Sequence, residues 1–122
     1  MEFGNILVFT VTTFASYLVD LVNIQNMLIM GGAMIIGITF GVLPGLSATV
    51  GIAMFTGLTY AFSLDRALIV LMGVYIGAIY GGSISAILIN IPGTGSAAAT
   101  CLDGYPLAMK GESGNANMLA RI

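Results

Sequence analysis

No charged side chain occurs from Leu21 to Leu64, and none from Ala67 to Leu102; a single Asp65-Arg66 pair separates the two tracts. Tracts this long leave a chain nothing with which to hydrate a surface, and a lipid bilayer is the solvent that accepts them. Composition agrees, with 58% of the 122 residues hydrophobic and 7% charged, a balance that no water-soluble domain of this size needs. The fold class expected is all-α integral membrane: a polytopic bundle of transmembrane helices embedded in the lipid bilayer.

The first apolar segment, 6–22, carries Thr10, Thr12, Thr13 and Ser16 and ends near Asp20, which makes it the poorest span and a candidate for lying along the interface. It lacks the positive n-region of a cleaved secretory signal. Residues 27–43 form a clear span, 46–62 a second, and 67–91 the strongest. A continuous helix over 24–62 would be roughly 58 Å long, nearly twice the hydrocarbon core, so the chain must turn near Pro44. The spacing predicts a turn over 63–66, another over 103–106, and a polar loop over 110–117. Residues 94–102 are too short to cross and too rich in hydroxyls to anchor in lipid, which predicts a half-helix.

Two patterns stand out within the spans. Glycines recur every fourth residue at Gly37, Gly41, Gly45 and at Gly73, Gly77, Gly81, so each set lies on one helix face and leaves a groove for another helix. Close packing inside one bundle is the plainer reading of these ladders; surfaces for self-association or for a moving gate is the sharper one. Two breaks are also alike, each a long apolar helix followed by Pro-Gly and then small or hydroxyl residues: Pro44, Gly45, Ser47 and Thr49 at the first, Asn90, Pro92, Gly93, Thr94 and Ser96 at the second. Backbone at membrane depth survives only when buried in protein or lining a watery cavity, and discontinuous helices of this kind mark transporter binding sites. A helix starting after Pro-Gly aims unpaired N–H groups and its positive dipole end at the break, so a carboxylate could be held there without arginine. The competing reading makes both Pro-Gly pairs interfacial turns whose hydroxyls bond their own helices.

A second tier of candidates comprises Gly81, Gly82, Ser83 and Ser85, read first as packing residues, and Asp103, read first as capping a turn and second as a cation ligand. The single cysteine, Cys101, and the absence of histidine provide no zinc set and no catalytic Cys/His pair, so neither an enzyme nor a resident metal or cofactor is expected. Three basic residues and a net charge of −2 argue against a nucleic-acid partner.

Three separated stretches resemble the large permease subunit of the tripartite tricarboxylate transporters: Gly41-Val42-Leu43-Pro44-Gly45-Leu46; the run from Tyr75 through Gly81-Gly82-Ser83 to Asn90-Ile91-Pro92-Gly93; and Leu102-Asp103-Gly104-Tyr105-Pro106 with the residues to Gly111. The resemblance runs in order from about 27 to 111. It implies a multi-pass secondary transporter of the bacterial inner membrane that moves citrate-like carboxylates, coupled to Na+ or H+. It also implies a periplasmic solute-binding protein and a small membrane subunit as partners, and a whole protein several times longer, of which 1–122 is an N-terminal portion. Unlike many members, this chain has no acidic residue in Gly93-Thr94-Gly95-Ser96, which leaves substrate and coupling ion open. The alternative is a small assembly subunit whose glycine ladders associate helices and which transports nothing.

Overall fold

The computed structural model describes residues 2–120. The chain forms an all-α helical bundle of the membrane type, with α1 (Glu2–Leu21), α2 (Ile24–Val42), α3 (Ala48–Thr59), α4 (Leu64–Ile89), a 3-10 turn (Gly95–Ala97), α5 (Ala98–Met109) and α6 (Ser113–Leu119). Among the described residues three helices are long and apolar enough to cross a membrane: Phe3–Leu21, Ile24–Val42 and Leu64–Ile89. The first segment therefore qualifies as a span, because its threonines and serine return their hydroxyls to their own helix. Thr10 donates to the Ile6 carbonyl at 2.8 Å and Thr13 to that of Phe9 at 2.7 Å, so these hydroxyls need no partner from lipid.

The core is the α2–α4 pair. Its residue correspondences rise together: Gly73 faces Ala33 and Met30, Gly77 faces Met34 and Gly37, and Gly81 faces Ile38 and Val42. The two helices therefore run parallel. A parallel pair needs a return path, and α3 supplies it. Twelve residues give α3 only about 18 Å of helix against a core of about 30 Å, so the connecting segments 43–47 and 60–63 complete the return. Gly51 in α3 abuts the Val74 side chain, halfway along α4, while Phe40 and Phe55 meet edge to face at 6.1 Å.

Several expected boundaries fall elsewhere, beginning with the span expected over 46–62, of which only Ala48–Thr59 is helical and too short to cross alone. Asp65 and Arg66 lie in the first turn of α4 rather than in a turn of their own, following the extended residue Ser63. The turn expected over 103–106 is helical: Gly104 lets α5 lie against Ile87, where a Cβ would stand 2.7 Å from its Cγ1, and that packing carries the helix through Pro106. The half-helix thus extends to Met109 rather than 102. It ends at Gly111 (φ +84°), where Glu112 N–H bonds the Leu107 carbonyl and Gly111 N–H that of Ala108, a Schellman closure that requires the left-handed glycine. Part of the expected polar loop is the short α6.

Candidate functional site

The first break is a β-turn over Leu43-Pro44-Gly45-Leu46, closed by Leu46 N–H to the Leu43 carbonyl at 3.1 Å. Proline at the second position and glycine at the third with φ +91° are what a type II turn requires. Gly45 is therefore a turn residue with open space around it and does not extend the α2 ladder. Ser47 then caps α3, its Oγ accepting from Val50 N–H at 3.4 Å. Pro44 and Thr49 are exposed and Ser47 half-buried.

The second break is built differently. Asn90 ends α4 in the left-handed conformation (φ 56°, ψ 26°), which asparagine tolerates better than other side chains. Pro92 then prevents helix and forces Ile91 extended. The chain turns back toward the helix it has just left. Gly93 packs on the Gly41 carbonyl and on Gly82, and a Cβ on Gly82 would stand 2.6 Å from Thr94 Oγ1. Gly82 lies about 10 Å below the last residue of α4 at the usual helical rise, so residues 90–94 re-enter beside α4, and α5 then climbs back to bring Gly104 against Ile87. Thr94 is 6% exposed, and its hydroxyl pairs with that of Ser96 at 3.0 Å. The 3-10 turn has no side-chain cap, so its first N–H groups are left without a side-chain partner at the same break.

Gly41, Gly82 and Gly93, from three separate segments, thus meet at one height. The sequence reading singled out all three glycines but not their convergence, since only the spacing within each helix is legible in one dimension. Beyond the breaks themselves, α3 makes no contact with the 3-10 turn or with α5. Pro92, Gly95, Ser96 and the Asn90 end of α4 are exposed, while Gly93 and Thr94 are buried. In the second tier, Ser85 donates to the Gly82 carbonyl at 3.0 Å and Ser83 to that of Ile79 at 3.4 Å; both belong to helix packing, as do buried Gly81 and Gly82. Asp103 is an exposed residue inside α5 and caps no turn. Among the described residues no three His, Cys, Asp or Glu side chains cluster to hold a metal.

A cleft with charged and polar side chains in its wall lies at the opposite end of the bundle. Asp20, Gln25, Ser63, Asp65 and Arg66 line it, in a volume of about 460 Å³. Its one legible signal was the Asp65-Arg66 pair standing alone between the charge-free tracts.

Comparison with known proteins gives two matches. The model of the tripartite tricarboxylate transporter TctA family matches residues 27–122. An Agrobacterium vitis protein, described as an uncharacterized 52.8 kDa protein in the TAR-I ttuC' 3' region, is 51% identical over 88 residues, which are 72% of this chain. The chain spans 18% of that relative's length. No solved structure matches the chain.

Proposed function

The chain belongs to the tripartite tricarboxylate transporter TctA family, and from that premise we propose that it forms part of the large permease subunit of a carboxylate symporter in the bacterial inner membrane. The transported class is tricarboxylates such as citrate, or related carboxylates, moved by alternating access with Na+ or H+ as the coupling ion. A small membrane subunit and a periplasmic solute-binding protein complete the system.

The observation that carries this reading is the re-entrant second break. A short helix that begins below the end of a spanning helix, with uncapped N–H groups and the Thr94 and Ser96 hydroxyls at its start, offers an anion hydrogen bonds and a positive dipole end where lipid offers neither. Backbone carbonyls freed at 90–93 are available to the cation. The rival reading, a small assembly subunit, relied on the glycine ladders as surfaces between chains. In this fold the ladders close on each other within one chain, which favours the permease.

The test is uptake of labelled citrate by vesicles holding the complete system. Imposed Na+ or H+ gradients accelerate uptake if the coupling is right, and Ser96→Ala slows it. Asn90→Gly separates two roles of that residue, because glycine keeps the left-handed helix end and removes the amide. Uptake indifferent to both gradients would sink the symport, and unchanged uptake in both variants would remove the second break from the site.

A further inference from the structure

The cleft between α1 and α4 has features that the transport reading does not use. It sits where α1 ends and where α2 and α4 begin, at the common end of the three helices long enough to cross a membrane. Arg66 occupies the first turn of α4, beside that helix's positive end, where a cation is out of place without an anion. Among the described residues its guanidinium donates only to the neutral Gln25 amide, at 3.3 Å, leaving most of its five donors open. Ser63, at the head of α4 and in the cleft wall, makes no capping bond, so the helix's first N–H groups have no side-chain cap. Asp20 and Asp65 line the cleft as well, so it presents a phosphate-binding face and an ammonium-binding face together.

The walls decide between a soluble ligand and a lipid. Leu21 of α1 and Leu68 and Ile69 of α4 continue the lining on the apolar side. α1 and α4 make no contact with each other, and both expose apolar side chains along their length, among them Phe14 and Leu18 of α1 and Met72 and Ile76 of α4. Charged and hydrogen-bonding groups at helix ends, with exposed apolar helix surface running on from them, suit a phospholipid, headgroup in the cleft and acyl chains along the helices. The cleft's volume falls within the range of about 300–1,000 Å³ typical of small-molecule sites.

We infer that this cleft is a binding site for a zwitterionic phospholipid bearing a primary ammonium, with Arg66 and the start of α4 on the phosphate and Asp20 and Asp65 on the ammonium. The full-length protein, purified with equimolar phosphatidylethanolamine, phosphatidylcholine and phosphatidylglycerol, is analysed for retained lipid by native mass spectrometry. Phosphatidylethanolamine is expected in excess, since the quaternary ammonium of phosphatidylcholine has no N–H to donate and phosphatidylglycerol has no ammonium. Arg66→Gln is expected to lower its retention on the order of tenfold, the effect of losing a charged hydrogen bond. The double variant Asp20→Asn with Asp65→Asn is expected to keep lipid but lose the preference over phosphatidylcholine. Each variant is compared at matched melting temperature, so that misfolding is not read as lost binding. Equal retention of the three lipids by the native protein, or unchanged retention in Arg66→Gln, overturns the site. Displacement of the lipid by soluble glycerophosphoethanolamine at equal concentration assigns the cleft to a soluble ligand and overturns it too.

Discussion

A Cβ placed on Gly77 would press on the Met34 carbonyl and stand 3.0 Å from Ile38 N, and one on Gly81 would press on the Ile38 carbonyl. Backbone meets backbone here, so no side chain can rotate out of the way, and the cost of an added methyl falls in the overpacking range of about 1–3 kcal/mol. Gly32, one helix face away with nothing within 4 Å, has no such neighbour, and alanine there gains helix propensity. Gly77→Ala should therefore lower the melting temperature of the purified full-length protein, while Gly32→Ala leaves it unchanged or raises it. Equal effects at the two positions would mean that the α2–α4 contact is looser than drawn. This distinction is invisible in sequence, where Gly32 and Gly77 are each one glycine in an apolar run. The four-residue ladder picked out the right face, but it also took in Gly45, whose φ of +91° serves a turn.

Helices were the most legible level, because a charge-free run of bilayer length allows little else. Two physical effects hid the rest. The type II turn at Pro44 and the left-handed stop at Asn90 follow from local chemistry and were readable as breaks, yet the direction of the chain after each break depends on which glycines a distant helix offers. The 103–106 segment looked like a turn because Asp, Gly and Pro favour one; packing of Gly104 on Ile87 outweighs that preference. The parallel run of α2 and α4 was likewise unreadable, since nothing local records the orientation of helices some forty residues apart. It can be tested by crosslinking. With every native cysteine, Cys101 included, replaced by serine, Ala33→Cys and Gly73→Cys, whose Cβ positions nearly touch, should oxidise to a bridge within one chain, seen as a gel shift at monomer mass. A product at twice that mass would restore the ladders as an intermolecular surface.

At the scale of the molecule, the fold makes α2 and α4 two strokes in one direction joined by an abbreviated return. Positions 23 and 63 then belong on one side of the bilayer and position 90 on the other. Single cysteines introduced at these sites in a protein stripped of its native cysteines should divide accordingly when right-side-out and inverted vesicles are treated with a membrane-impermeant maleimide; labelling of 63 and 90 from the same side would contradict the arrangement. Parallel pairing also has a consequence for biogenesis. The glycine groove of α2 reaches the bilayer before its complement has been made, because Gly77 follows Gly37 by 40 positions in the chain. At usual translation speeds of 5–20 residues per second, that is a wait of about 2–8 s. During that interval a bare groove, shaped for a close backbone neighbour, is in the company of lipids, the insertion machinery and any other helix passing by. The order of synthesis thus gives the ribosome's tempo a part in deciding which partner α2 accepts.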